Sequence, residues 1–181
     1  MASIFGHAIV GFTLTKLIDS KNLKWLMLAA IFSTILPDFD VIGFKLEIPY
    51  EHPLGHRGFT HSIFFAIFWA LILMFTIGRK YKFIWFLVIL LSTLSHGVLD
   101  AMTSGGEGVG FFIPFNNDRI FFSFREIKVS PLGIKSFFSS WGMRVILSEI
   151  KYILIPCLFI SLILGTLKNI NEYTKRTKGS R

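Results

Sequence analysis

Seven polar residues of this 181-residue chain fall at spacings that suit a divalent metal: His7, Asp38, Asp40, His56, His61, His96 and Asp100. His96 and Asp100, in SHGVLDAMT, are four apart, so a helix puts both side chains on one face, where they can chelate one ion. Asp38 and Asp40 sit beside Pro37 in LPDFD. A helix that ends there lets both carboxylates turn to one centre. His56 and His61 bracket Arg57, Gly58, Phe59 and Thr60, with Thr60 expected as the N-cap of the helix that follows. Imidazole plus carboxylate is a borderline-to-hard ligand set, which favours Zn, Mn, Fe, Co or Ni over thiolate-seeking ions. A metal so held lowers the pKa of its water to about 7 and polarises a phosphoryl or carbonyl oxygen. Arg57, and Arg119 after PFNND, can hold an anionic phosphate oxygen; either can instead pair with Asp38, Asp118 or Glu107.

The elements that must position these residues are apolar. The chain is 52% hydrophobic and only 17% charged, with 21 Phe, against about 25% charged residues in soluble domains. Apolar segments at Leu23–Leu36, Ser62–Gly78, Phe83–Leu99 and Tyr152–Leu167, with a weaker one at Ile4–Ile18, are each near the short end of what spans a bilayer. In lipid such runs are helical, because a helix satisfies its own backbone. The expected fold is an all-α integral membrane protein of about five membrane-embedded helices, one domain over 1–181. The single Cys157 excludes an intramolecular disulfide framework and a Cys-rich metal site. The start, MASIFGHAIVG, has no basic n-region and no cleavage site before Lys16, so this segment is expected to remain in the mature protein.

Five spans sort the loops into two sides. Eleven of the 19 Lys and Arg lie on one side with only Asp19 and Glu172 as acids, and the remaining basic residues are balanced by acids on the other. Lys/Arg excess marks the cytoplasm, so the N-terminus is expected outside and the basic tail 168–181 inside. The net charge of +8 then records topology and some attraction to anionic lipid, not nucleic-acid binding. By this topology all seven polar residues lie at the outer ends of their helices. The segment 103–149 is extracytoplasmic. Its first part is Gly- and Phe-rich, with RIFFSFREIKV read as a short hairpin or irregular strand pair. Its second part, GIKSFFSSWGMRVILSEI, is read as an interfacial helix. The Phe-rich stretch Gly105–Phe124 cannot span as one helix and is expected to form an apolar wall of the site.

Taken singly, each of these residues has an ordinary reading. A lone His at an interface is solvated or hydrogen-bonded, and Pro-Asp-x-Asp is a helix stop. Together, seven ionisable groups at one membrane level with few basic partners are costly unless they serve a function. His52, further along the loop in EHPLGHR, is the bystander.

HAIVG, LPDFDVIGF, YEHPLGHRGFTHS, SHGVLDAMTSGGEGVGFFIPF and NDRIFFSFREIKVSP resemble the YdjM-type family of bacterial inner-membrane proteins, from His7 to about Ile150. The resemblance implies a multi-pass, zinc-dependent hydrolase of the bacterial inner membrane. It puts His7, Asp38, His56, His61, His96 and Asp100 on the metal-ligand positions of the motif, with Asp40 on its second acid. Asp40 and Arg57 are then the residues assigned to catalysis. The order of a first His, an acid, a His and then His-x-x-x-Asp is also similar to zinc-dependent phospholipases C and single-strand-specific zinc nucleases, although the later His ligands of those enzymes have no counterparts after Asp100. The expected substrate is a phosphoester of a lipid-like molecule, with membrane lipids as partners. The alternative is a non-catalytic metal-binding or transport protein. Transport sites lie near the bilayer midplane, whereas these residues map to helix ends. A third reading leaves the cluster as a structural staple between four helices.

Overall fold

The computed structural model describes residues 1–19, 21, 23–131 and 133–179, and of these the side chains of all but 134, 169 and 171–179. Ser180 and Arg181, the end of the expected tail, lie outside the described residues. The regular elements among the described residues are helices: α1 (Ile4–Ile18), α2 (Lys24–Ser33), α3 (Ile63–Thr76), α4 (Lys82–Ala101), the single turn α5 (Ile134–Phe137), α6 (Ser140–Glu149) and α7 (Ile155–Gly179). Among the described residues three stretches, Lys24–Leu46, Lys82–Ala101 and Ser140–Lys168, are long and apolar enough to cross a membrane; α1 and α3 are shorter apolar helices.

Local sequence sets the boundaries. Ser3 caps α1, its Oγ accepting from the Gly6 N–H. α2 does not simply stop at Pro37. It ends at Ser33 and the chain resumes as a 3-10 helix over Leu36–Leu46, with Pro37 in its first turn, where a missing N–H costs nothing. Asp38 and Asp40 are therefore carried on helical backbone. The cap of α3 is Ser62, whose Oγ accepts from Phe65 N at 3.1 Å, and not Thr60. Thr60 lies in a short 3-10 turn, Phe59–His61, and its hydroxyl donates to Asp40.

α1, α2, α3 and α4 form one bundle. The half of the bundle formed by the start of α2, the end of α3 and the start of α4 is dry, built from Leu26 and Ala30 of α2, Ala70 and Leu73 of α3, and Trp85, Val88 and Ile89 of α4. Gly11 lets α1 close on α2: a Cβ there would meet Thr34 Cγ2 at 2.8 Å and the Ala30 carbonyl at 3.2 Å. Small residues at such crossings are the usual means of bringing helices together in lipid.

The segment after α4 departs from expectation in three places. No strand forms among the described residues. Thr103 pairs with Ile127 and Val109 with Ile120 as isolated bridges, so the expected hairpin or irregular strand pair is an irregular loop that follows the end of α4. Gly and Pro interrupt any continuous ladder there. Phe111 is not an exposed wall; it is buried with Ala101 and Val109, whereas Phe112, Phe115, Phe122 and Phe124 remain exposed. α6 also runs on through a π-helical turn, Ile150–Leu154, into α7, so the interfacial helix and the last apolar helix are one rod. Outside the bundle this rod is scarcely covered, with Leu158, Phe159, Leu162 and Leu167 exposed, as befits a surface facing lipid.

Candidate metal centre

The end of the bundle where α1 begins and α4 ends is polar inside. His7, Asp38, His61, His96 and Asp100 are all buried, on α1, the 36–46 helix, the 59–61 turn and α4. Four atoms converge: His61 Nε2, His96 Nε2, and one carboxylate oxygen each from Asp38 and Asp100, all within 4.8 Å of one another. His96 Nε2 is 3.0 Å from His61 Nε2, 3.3 Å from Asp38 Oδ1 and 3.8 Å from Asp100 Oδ2. His61 Nε2 is 3.9 Å from Asp38 Oδ1 and 3.7 Å from Asp100 Oδ2. Ligands at about 2.0–2.1 Å on a tetrahedral ion lie about 3.3 Å apart, so these spacings bracket that geometry.

The other ring nitrogens are fixed. His96 Nδ1 donates to the Thr34 carbonyl at 2.6 Å, and His61 Nδ1 lies 3.1 Å from Asp40 Oδ2. Each contact puts the ring proton on Nδ1 and leaves the Nε2 lone pair facing the centre, the arrangement by which carboxylates and carbonyls orient metal-binding imidazoles. Asp40 serves both histidines of the loop: its Oδ1 is 2.6 Å from His56 Nδ1, and its Oδ2 accepts from the Arg57 N–H and the Thr60 hydroxyl. Asp40, His56 and His61 form a second, less buried group of possible ligands that shares His61 with the first.

The fit of the first group to a cation is visible in what it lacks. Both oxygens of Asp38, Asp100 Oδ2 and both ring nitrogens of His7 are buried without a hydrogen-bond partner. Orphaned carboxylate oxygens facing imidazole lone pairs are costly, and an ion among them would engage one oxygen each of Asp38 and Asp100 together with the two Nε2 atoms. His7 stands next to this centre. Its ring stacks on His96 with centroids 3.9 Å apart, and its Nε2 is 3.5 Å from Asp100 Oδ1. Burial lowers the affinity of the His61 ring for a proton, but Asp100 and Asp40 outweigh it and push the pKa up to about 9. Without an ion, His61 carries the compensating proton.

Arg57 is buried and adopts a left-handed backbone (φ 61°). The strain is held by its N–H on Asp40 and by its carbonyl, which accepts from the Gly110 N–H. The guanidinium faces inward: Nε is 3.1 Å from Asp100 Oδ2, Nη1 donates to the Gly105 carbonyl and Nη2 to Thr103 Oγ1. Gly106, at φ 88°, leaves room for it, since a Cβ there would collide with Nη1. Arg119 ties the loop instead, donating to the carbonyls of His56 and Tyr50 and stacking over the Tyr50 ring. His52 is exposed, its Nδ1 accepting from Leu54 N.

Two participants had no clear signal in the sequence. The Thr34 carbonyl is a backbone group. Glu149 takes the Ser3 N–H and hydroxyl and so anchors the start of α1, from which Ala2 N donates to Asp100 Oδ1. Its place at the junction of α6 with the π-helical turn becomes meaningful only once α6 is packed on α1.

These features define an α-helical integral membrane protein with a buried His/Asp group able to hold a metal ion. The chain belongs to the YdjM inner membrane protein family, whose family model matches residues 1–171. It is similar to the inner membrane protein YbcI of Escherichia coli strain K12, with 36% identity over 165 residues, covering 86% of this chain and 92% of that protein. No solved structure matches it. The family and the relative are both inner-membrane proteins, and multi-pass insertion in that membrane follows for this chain.

Proposed function

We propose that the protein is a membrane-bound metal-dependent hydrolase acting on a phosphoester of a lipid-like substrate at the extracytoplasmic ends of its helices. The observation that carries this reading is the orphaned pair of Asp38 oxygens beside two imidazole lone pairs whose tautomers are already set. His61, His96, Asp38 and Asp100 hold the ion, with Zn the first choice and Mn, Fe, Co or Ni compatible with the same N/O donors. A divalent ion there supplies Lewis-acid polarisation of a phosphoryl oxygen and acidification of water.

The remaining work falls to the chain. Asp40 locks His61 and holds His56 at the less buried edge. Arg57 adds a fixed positive charge beside Asp100, so that Arg57 and a divalent ion offset Asp38, Asp40 and Asp100 and leave the ion open to an anionic group. His7, with neither nitrogen committed, is placed to take or give a proton beside Asp100, or to join the ligand set. Nucleic acid has no part in this reading, because the basic residues lie mainly on the opposite side.

The test uses detergent-purified protein loaded with Zn or Mn, assayed for phosphate release from phosphatidic acid and from a soluble aryl phosphate. Turnover that disappears with chelator and in Asp38→Asn is expected. Folded, metallated protein that cleaves neither compound, or an undiminished Asp38→Asn, would overturn the proposal.

A further inference from the structure

Between the start of α1 and the segment leading into α5 lies a cavity of about 350 Å³, within the range of small-molecule sites. Its apolar walls include Ala2, Ile4, Phe5, Pro131, Phe137 and Phe138; of the polar groups at it, the Ser3 hydroxyl donates to Glu149, the Ser130 N–H donates to the Met1 carbonyl, and the Met1 ammonium lies 3.8 Å from Asp100 Oδ1. The cavity therefore offers a ligand contact surface but little to hydrogen-bond. Phe5 and Phe138, 65% and 82% exposed, stand at it as aromatic side chains do where an apolar body meets a wet interface. Its inner wall adjoins the metal centre, because Ala2, which lines the cavity, donates its N–H to Asp100 Oδ1 at 3.0 Å.

We propose that this cavity seats one acyl chain of a lipid and directs the lipid's phosphorylated head toward Asp100 and the cluster. The inference deepens the lipid-phosphoester reading and rests on it. It assigns the apolar wall of the site to Phe5, Phe137 and Phe138, since Phe111 is buried elsewhere. An acyl chain is the occupant that matches a mostly apolar wall, exposed Phe at the mouth, and a charged centre one residue from the inner end.

The test is photolabelling in lipid nanodiscs with phosphatidic acid carrying a diazirine on one acyl chain, read by mass spectrometry. Adducts at Phe5, Phe137 or Phe138 are expected. Ile4→Trp, which enlarges an exposed lining residue, should reduce them at least fivefold, while labelling of Leu158 and Phe159 on the lipid-facing rod and metal content stay unchanged. Adducts confined to that rod in the unsubstituted protein, or equal cavity labelling in Ile4→Trp, overturn the proposal. The unsubstituted protein decides the matter even where Ile4→Trp does not fold. Cavity adducts without phosphoester turnover uphold the lipid seat and overturn the hydrolase. Turnover without cavity adducts overturns the seat alone.

Discussion

His61 Nε2 and His96 Nε2 face each other at 3.0 Å, while Asp40 and the Thr34 carbonyl hold the opposite nitrogen of each ring. Two imidazoles so oriented repel through their lone pairs unless a proton or a metal ion sits between them. The pair is thus built around a cation.

Loss of a converging ligand should therefore remove the ion. Metal analysis of purified variants should show His61→Ala, His96→Ala and Asp100→Asn depleted, with His52→Ala at the level of the unsubstituted protein. Equal metal in all four would refute the assignment of the centre. Since the ion binds only the assembled helices, its removal should also lower stability, by about 2.7 kcal/mol where free ion had stood 100-fold above Kd. A chelator should accordingly lower the melting temperature of the unsubstituted protein and leave that of His96→Ala unchanged.

Asp40 tests orientation apart from ligation. Its Oδ2 takes three donors and its Oδ1 faces His56. Asp40→Asn can keep the three-donor side and turn its amide toward His56, so it should weaken metal binding less than Asp40→Ala. For Asp40→Ala a loss of about 10–100-fold is expected, as for other groups that orient a metal-binding imidazole. Competition with a coloured chelator measures both. If the two variants bind alike, Asp40 does not act through His61.

The raised pKa of His61 couples metal to pH. Its imidazole, ordinarily at 6.5, is held at about 9 by Asp100 and Asp40 against burial. In the metal-free protein this ion pairing stabilises the fold fully below pH 6.5 and is lost as pH rises through about 9. A metal ion needs the neutral ring, so binding near pH 7.5 should release about one proton. Affinity should rise about tenfold per pH unit up to about 9. The gap in melting temperature between loaded and metal-free protein should widen over the same interval. Calorimetry in two buffers of different ionisation enthalpy reads the proton directly, and an identical heat in both would exclude His61 as the proton carrier.

Part of the centre was legible in the sequence because the constraint is local: His96 and Asp100 share a helix face at i, i+4, and Asp38 and Asp40 stand two apart after Pro37, although only Asp38 of these two joins the four converging residues, with His7 beside them and His56 in the second group. Membrane cost supplied the rest, since buried charge in an apolar chain has few uses. What the sequence did not reveal depends on contacts between distant segments. Thr60 looked like a cap, but its hydroxyl found Asp40, and the next serine capped α3 instead. Phe111 looked like a lipid-facing wall, but the loop folded back and buried it under α4. The continuity of α6 with α7 was hidden because a π-helical turn has no composition of its own.

Arg57 separates a direct role on substrate from a role on Asp100. Each of its three nitrogens has a partner inside the fold, and the charge it neutralises is a carboxylate of the centre. Removing one member of a buried ion pair costs up to about 3–5 kcal/mol, an upper figure here because His61 and the Met1 ammonium also face Asp100. Arg57→Gln should therefore destabilise the metal-free protein by up to that amount in a denaturation series. The loaded protein should lose less, because the ion takes over the charge of Asp100. An arginine that only gripped a substrate phosphate would behave differently: its replacement would leave both forms as stable as before and raise KM alone. Stability that is unchanged by Arg57→Gln in the absence of metal would show that Asp100 does not depend on this guanidinium, and the charge balance argued for the centre would fail with it.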